Sequence, residues 1–435
     1  MRVPSVISVA KTPEEEGFYF RVGHNDHAGL NHLIAERKLR ADGLVLDARR
    51  HERHATLRQH AQRAAVATCL DTQAMELAMP GTSSKGHAEL PWAGAHPHAL
   101  EDFSPQYIER FVNTIVERVV DGSYSAVMAP THYMGEDGGT WLDIDGQLTR
   151  ALRVKLDAAD KKAIRITYPL AVHHKAFYDA SARASLQRAL AGLPIDAVSL
   201  RIHPFGSNSG PLVMRNFIEA CWGFRRPGVP MMIERAGFAG LSAFALGAVD
   251  LVESGITMGD AFDVGGLQKP RRDSGTSSFP LPPRVYVEAL GTTVERKVAS
   301  KLMESPRGKL HFACKDPTCC PNGFRGMLEN PQRHSALARQ RQYAELSRVP
   351  RTMRAEHFLQ NVVTPVCDML SRAGDSHEPF KAAHRRMLSM KETLLDLQRE
   401  QKKLHDDRRL APDSGLPARP VAQVITLSPR DSRGR

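Results

Sequence analysis

Residues 105–130 read PQYIERFVNTIVERVVDGSYSAVMAP and contain both patterns that decide the fold. Apolar residues recur at helical spacing in the first part, and the last five residues, AVMAP, form a short apolar run that ends in proline. The same pairing returns at 180–202, where ASARASLQRALAGLP precedes AVSLRI. Helical segments that alternate with short β-rich runs are typical of a parallel sheet with crossover helices.

Seven such apolar runs follow one another, at 44–48, 66–71, 126–130, 164–168, 197–202, 231–235 and 248–253. With one further strand they predict an α/β fold, a closed (β/α)8 TIM-type barrel, and a doubly wound open sheet is the alternative. The eighth strand is expected to be either RVYVEAL (284–290) or KLHFAC (309–314), the other belonging to an insertion. In a barrel, the loops that follow the strands form the functional face.

The chain is expected to divide into three parts. A barrel with a zinc-binding subdomain at 308–345 occupies 1–350, and a helical extension occupies 351–408 because its apolar residues return to helical spacing. The last residues, 409–435, are rich in Pro, Ser and Arg and are predicted to be disordered.

The bulk composition favours an anionic partner. The 435 residues include 59 Lys and Arg against 48 Asp and Glu, a net charge of +11, which favours nucleic acid or a membrane surface. No apolar run approaches the ~20 residues that span a bilayer, and the N-terminus lacks the long apolar region of a signal peptide. We therefore expect a cytoplasmic protein with no membrane partner. Walker, G-x-G-x-x-G and G-x-S-x-G motifs are missing, which argues against nucleotide hydrolysis, dinucleotide redox chemistry and serine hydrolysis.

Three of the six cysteines, Cys314, Cys319 and Cys320, lie within seven positions, and His334 follows. Thiolates and an imidazole are the ligands that zinc prefers, and four of them close a tetrahedral structural site. Prolines and a glycine around the adjacent cysteines would permit the tight bend that such a site needs. His311 is an alternative to His334, and three free cysteines are the alternative to a metal site.

Carboxylates end several of the predicted strands: Asp47, Asp71, Glu234, Asp250 and Glu253. Such positions are catalytic candidates in barrels, although a helix cap or a solvated rim residue is the simpler interpretation of any one of them. A pair that faces across the barrel mouth would suit covalent displacement at a sugar carbon.

With these residues in view, 40–345 resembles the tRNA-guanine transglycosylase superfamily, which includes relatives that place 7-deazaguanine bases in DNA. The segment 69–76, CLDTQAME, is similar to the family strand ending in Asp-Ser-Gly-Gly-Phe/Tyr-Gln, which gives Asp71 the place of the general acid/base. The segment 247–253, GAVDLVE, is similar to Gly-Val-Asp-Met-Phe-Asp, which gives Glu253 the place of the nucleophile. A cysteine and histidine zinc site follows in the same order, and Asp263 is a rival nucleophile.

The resemblance implies an enzyme that exchanges guanine for a 7-deazaguanine-type base in DNA or tRNA, with one structural Zn²⁺ and with a homodimer as a further possibility. Some features depart from the family pattern: Gln73 and Ala74 replace two glycines, and the base-reading segments have no clear counterparts. A non-catalytic, zinc-containing nucleic-acid-binding paralogue is therefore the alternative.

Four further residues are candidates for substrate binding. His203 and Gly206 lie in HPFGSNSG after the fifth predicted strand, where a plain turn is the alternative. Arg271 and Arg272 lie in a basic loop and are candidates for phosphate contacts, with a solvated surface as the alternative.

Overall fold

Eight parallel strands close into a barrel. The computed structural model describes residues 16–82, 85–225, 228–270, 282–375 and 377–410. In chain order the strands are β1 (Gly17–Arg21), β2 (Gly43–Asp47), β3 (Ala67–Asp71), β4 (Ala126–Met128), β5 (Arg165–His173), β6 (Ala197–His203), β7 (Phe205–Gly206), β8 (Met231–Ile233), β9 (Leu251–Ser254), β10 (Ala261–Phe262), β11 (Arg284–Val287) and β12 (Thr292–Glu295). The barrel order is β1-β2-β3-β4-β5-β6-β8-β9, and β9 pairs with β1 to close it. The predicted (β/α)8 barrel is confirmed.

Helices connect the strands and continue beyond them. They are α1 (Asp26–Ala35), α2 (Ala55–Arg63), α3 (Ala74–Leu77), α4 (Lys85–Ala88), α5 (Pro105–Asp121), α6 (Leu142–Ala158), α7 (His174–Tyr178), α8 (Ala180–Leu190), α9 (Pro211–Phe224), α10 (Gly237–Ala245), α11 (Arg296–Leu302), α12 (Pro306–Phe312), α13 (Phe324–Glu329), α14 (Pro331–Ser347), α15 (Arg351–Phe358), α16 (Thr364–Gly374) and α17 (Glu378–Leu410). Among the residues that the structure describes, none of these helices has the length and apolar character needed to cross a bilayer.

The strand that completes the barrel is β1, near the N-terminus, so both predicted candidates for that strand were wrong. RVYVEAL supplies β11 of an antiparallel hairpin with β12, and KLHFAC lies in α12 and the loop after it. β1 reads GFYFR: Phe18 and Phe20 pack outward in the main core, and Tyr19 and Arg21 take the alternate positions facing the barrel interior. β1 was not predicted because a five-residue run that contains an arginine does not match the pattern of an apolar strand. Asp71 therefore ends the third barrel strand, and Glu253 lies in the eighth.

The barrel interior is layered. One layer is apolar and consists of Val45, Cys69, Ala126, Met128 and Met232, with Tyr19 and Leu251 packed against it. Five of these strands carry a charged residue two positions further along the chain, and these residues are Arg21, Asp47, Asp71, Glu234 and Glu253. Side chains at i and i+2 of a strand share a face, so the strand ends carry a charged layer directly above the apolar one.

The C-terminal helices pack on the barrel. Tyr343 of α14 stacks on Phe18 of β1 with ring centroids 5.2 Å apart. Arg354 of α15 contacts Glu16 at 2.8 Å, and Gln401 of α17 donates to the Leu246 carbonyl at 2.8 Å. A π-helical turn, Leu359–Val363, joins α15 to α16. The predicted extension is thus helical and packs on the barrel. Of the predicted disordered tail, 409–435, the first two residues belong to α17, and the rest lies outside the described residues.

We expect Phe20→Ala to lower the free energy of unfolding by about 3–5 kcal/mol, because the ring is fully buried and its removal leaves a cavity. Leu212→Ala is the control, since that side chain is 69 % exposed and its loss should change stability by less than about 0.5 kcal/mol. Urea unfolding of both variants measures the difference. Equal, small effects would mean that β1 is a peripheral arm and not a barrel strand.

Candidate functional site

Arg21, the last residue of β1, is the centre of a buried ion-pair network. Its Nε is 2.9 Å from Glu253 Oε2, and its Nη2 is 2.6 Å from Glu234 Oε2. Its Nη1 is 2.7 Å from Asp71 Oδ2 and 3.1 Å from Asp47 Oδ1. The five side chains are all 8 % exposed or less. One guanidinium therefore joins carboxylates from four different strand ends.

A second arginine, Arg201 of β6, completes the network. Its Nη2 donates to Asp71 Oδ2 at 2.6 Å, and its Nε donates to Glu234 Oε2 at 2.9 Å. Ser199, two residues earlier on the same face, also donates to Glu234. Asp71 accepts a third contact from the backbone N–H of Gln73 at 3.0 Å, because the chain turns sharply there, with Gln73 in the left-handed region (φ 56°).

The structure brings Asp71 and Glu253 together and places the rival Asp263 elsewhere. Both carboxylates contact one planar guanidinium, so the oxygens that contact it lie within about 8 Å of each other. The Asp263 side chain is 66 % exposed and lies 3.3 Å from His203. Asp250 accepts from the Met231 N–H at 3.1 Å. Its role is therefore to fix the start of β8.

The two carboxyls differ in proton affinity. Burial raises the pKa of Asp71, but the charges of Arg201 and Arg21 and the hydrogen bonds it accepts lower it more, so the pKa ends well below its usual range. Burial raises the pKa of Glu253 to about 7; Arg21 opposes this shift, and the neighbouring Glu234 adds to it. Glu253 Oε1 is buried and has no hydrogen-bond partner within the described part of the chain. Asp71 therefore favours the ionised form, and Glu253 retains a proton to a higher pH than an ordinary glutamate.

A second apolar cluster covers the charged layer. It contains Met75, Met79, Ala171, Phe262 and Val264, all of which follow or lie near the C-terminal ends of strands. The N–H of Gly81 donates to the Leu267 carbonyl at 2.7 Å and ties the β3 loop to the segment after β10.

His203 and Gly206 take part in the pairing of β7 with β10. His203 Nδ1 accepts from the Val264 N–H at 3.1 Å. Gly206 pairs with Ala261, and a Cβ at Gly206 would lie 2.4 Å from the Ala261 Cα, so no larger residue fits. These contacts are those of a structural turn, and substrate binding by the two residues stays a prediction. Arg271 and Arg272 lie outside the described residues.

The four predicted metal ligands converge outside the barrel. The candidate ligand atoms of Cys314, Cys319, Cys320 and His334 all lie within 4.8 Å of one another. The sulfurs of Cys319 and Cys320 are 3.6 Å apart, and each lies 3.4 Å from His334 Nδ1. The tight bend that joins the adjacent cysteines is closed by the Cys320 N–H, which donates to the Asp316 carbonyl at 2.8 Å.

This group fits a tetrahedral metal ion. Metal–ligand distances of 2.0–2.3 Å in a tetrahedron place the ligand atoms about 3.5–3.8 Å apart, close to the separations seen here. The Tyr286 carbonyl lies 2.9 Å from His334 Nε2 and orients the ring so that Nδ1 faces the sulfurs. His311 contacts Arg372 at 3.4 Å. The choice of His334 over His311 therefore agrees with the structure, and the Cys3His group can hold a metal ion.

Arg21 and Arg201 are the site residues that the sequence interpretation missed. The available signal was a charged residue within an apolar strand, at a position that alternation places inside the barrel. In AVSLRI, Ser199 and Arg201 are both polar and two residues apart, which indicates a polar inner face on an otherwise buried strand.

No protein-family model matches the chain, and no curated protein matches it. Among solved structures, 3-dehydroquinate dehydratase from Geobacillus kaustophilus aligns with 13 % identity and a TM-score of 0.33, covering 57 % of this chain and 85 % of that one. A GH26 β-mannanase from Bacteroides ovatus aligns with 10 % identity and a TM-score of 0.34, covering 57 % and 81 %. A Penicillium canescens endo-1,4-β-xylanase aligns with 11 % identity and a TM-score of 0.33, covering 56 % and 83 %. These values are too low to indicate a shared function.

We expect Glu253→Gln to remove a pH dependence of stability. Because the folded pKa is raised to about 7 from the ordinary 4.5, the folded protein binds more protons than the unfolded chain between these values, and its stability falls as pH rises through them. The variant should therefore gain a few kcal/mol relative to the parent protein between pH 5 and pH 8. Urea unfolding at both pH values measures this gain. Glu117→Gln, on the exposed face of α5, is the control, and the same pH dependence in both variants would contradict the assignment.

Proposed function

We propose that the chain is a base-exchanging transglycosylase that replaces guanine in DNA or tRNA by a 7-deazaguanine-type base. The observation that carries this proposal is the contact of Asp71 and Glu253 with the same Arg21, at the C-terminal end of the barrel strands. Two carboxyls of opposite proton affinity are what exchange at a sugar C1′ requires. The net charge of +11 supports a polyanionic substrate.

The proton affinities favour roles opposite to those that the family resemblance implies. Asp71, held ionised, would attack C1′ of a flipped nucleotide; the bond from C1′ to guanine breaks, and guanine leaves with the proton of Glu253. Ionised Glu253 would then take a proton from the incoming base, whose nitrogen attacks C1′ and releases Asp71. Arg21 separates the two carboxyls in the described conformation and would have to shift when substrate enters.

The second candidate is a non-catalytic nucleic-acid-binding protein. It is favoured by the pairing of every carboxylate in the charged layer with an arginine, and by the apolar cover above them. Such a network could serve only to hold strands together.

We propose that the Cys3His group binds one structural zinc ion. Its sulfur and imidazole donors suit zinc, and with four protein ligands no position is left for substrate. Cys319 and Cys320 are buried, and so is His334 on α14, so the ion would fasten the loop after α12 to α14. The binding energy of such an ion contributes to folding.

For the metal site, we expect one zinc per chain by elemental analysis and little or none in Cys319→Ser and Cys320→Ser. Both variants should also unfold at lower temperature, because the metal would no longer stabilise the folded state. Cys367→Ala is the control, since that thiol is buried elsewhere and its variant should keep a full equivalent of zinc. Full zinc in both serine variants would show that the cysteine assignment is wrong.

For catalysis, we expect purified protein to incorporate labelled guanine into tRNA or DNA and to form a covalent adduct with the nucleic acid. Asp71→Asn should abolish the adduct, and Glu253→Gln should slow exchange by at least about a hundredfold, the usual contribution of a general acid. Asp263→Asn is the matched control, because its exposed carboxylate lies outside the network, and it should exchange at the parental rate.

Zinc content and unfolding temperature verify that the variants are folded. Adduct formation by Asp71→Asn together with its loss in Glu253→Gln would restore the family's assignment of roles. Binding of nucleic acid with neither exchange nor adduct would favour the non-catalytic candidate.

A further inference from the structure

A second charged cluster lies beside the carboxylates, on the loops that follow β1 and β2. It contains three arginines within five residues: Arg49, Arg50 and Arg53. Arg50 Nη1 is 3.2 Å from Asp47 Oδ2, and Arg49 Nη2 is 3.8 Å from the same oxygen. Asp47 also contacts Arg21 through its other oxygen at 3.1 Å. One carboxylate thus serves three guanidinium groups, and Asp26 in the first turn of α1 is the other acid whose charge acts on Arg50.

The charges of the cluster act on one another. Burial lowers the pKa of Arg50, and the neighbouring Arg49 and Arg53 lower it further, while Asp47 and Asp26 oppose them. The positive charges of the cluster also act on His24 in the loop after β1. Burial lowers the pKa of His24, and the charges of Arg53 and Arg50 lower it further. A bound anion would relieve this repulsion.

Several polar atoms of the cluster lack partners among the described residues. His54 is fully buried, and neither of its ring nitrogens forms a hydrogen bond. Its ring centre lies 5.7 Å from that of His27, whose Nδ1 is also unpartnered, and Arg49 Nε is buried and unpartnered as well. Buried polar groups of native proteins normally have partners, so these atoms indicate a polar ligand at this place.

Two helix N-termini face the same loops. α1 has Asn25 and α2 has His54 at the N-cap position, and neither side chain caps the first turn. The first N–H of each helix already donates to a backbone carbonyl, Asp26 to Gly23 at 3.5 Å and Ala55 to Glu52 at 3.1 Å, so the helix ends attract an anion through their dipoles. Helix ends, arginines and unpartnered imidazoles together describe a site for an anion with several acceptor oxygens.

We infer that Arg49, Arg50, Arg53 and His54 form a phosphate-binding site. Asp47 links Arg50 to Arg21 of the carboxylate network, and Gln73 Oε1 accepts from the Arg49 N–H at 3.2 Å while the Gln73 N–H donates to Asp71. The site is thus next to the proposed reaction centre. A backbone phosphate of a nucleic-acid strand suits this position, an identity that rests on the proposed function; a free phosphate or phosphate monoester has the same chemistry.

The test is the double variant Arg49→Gln/Arg53→Gln, which removes two side chains of the cluster and leaves Arg50 paired with Asp47. The control is Arg40→Gln/Arg63→Gln: both arginines are exposed, and Arg63 is at the opposite end of α2. Full-length protein is titrated with a fluorescent single-stranded 12-mer at several salt concentrations, and its unfolding temperature is measured with and without inorganic phosphate. Zinc content is measured in all proteins as a check of folding.

Relative to the control, we expect the Arg49/Arg53 variant to bind the 12-mer at least about tenfold more weakly, with a salt slope lower by about 1 for each arginine–phosphate pair that the substitutions remove. That result supports a strand phosphate. Unchanged 12-mer binding, with stabilisation by inorganic phosphate abolished in the variant alone, supports the site with a small phosphate ligand. If the variant and its control match in both measurements, the site is wrong. Base exchange is measured separately. If the substitutions weaken 12-mer binding but the parent protein exchanges no base, the phosphate site is supported and only the transglycosylase proposal is contradicted.

Discussion

The contact of Arg21 with four carboxylates is the constraint on which the barrel interior depends. A carboxylate buried without a partner would cost several kcal/mol, and removal of one member of a buried pair is typically more damaging than replacement of both. Two guanidinium groups face four acids within the charged layer, and Asp47 at its edge also pairs with Arg50. Burial is the main cause of the raised pKa of Glu253, and the charge of Glu234 adds to it. The buried charges that hold the strand ends together therefore include the carboxyls that are proposed to act in catalysis.

The module that holds the metal group is tied to the same part of the barrel. α14 supplies His334, and five residues later Arg339 donates to Ser254 Oγ in β9 at 2.8 Å. The next residue, Gln340, donates to the Lys38 carbonyl at 2.8 Å, just before β2. One helix therefore connects the proposed zinc site to the seam where β9 meets β1.

Much of this arrangement could be predicted from sequence, because the signals were local. Short apolar runs between amphipathic segments indicated seven of the eight strands, and the clustered cysteines indicated the metal group. Acids at strand ends identified Asp71 and Glu253, since a barrel brings all strand ends to one face. β1 could not be recognised because its inner face carries an arginine. Four acids compensate the charge of this buried arginine, and they lie far away in sequence. The pairing of His203 and Gly206 could not be predicted either, because their partners, Val264 and Ala261, lie 61 and 55 positions further along the chain.

The pairing of β1 with β9 has a consequence for how the protein is made. Arg21 and Glu253 contact each other across 232 positions of the chain. At synthesis rates of roughly 5–20 residues per second, Arg21 is synthesised about 10–50 s before Glu253. During that interval the acids of β2 and β3 can pair with Arg21, but the barrel has no seam to close and its apolar layer has one open side. The nascent chain thus keeps an open strand edge at β1 until β9 has been made, and such an edge can pair with another chain.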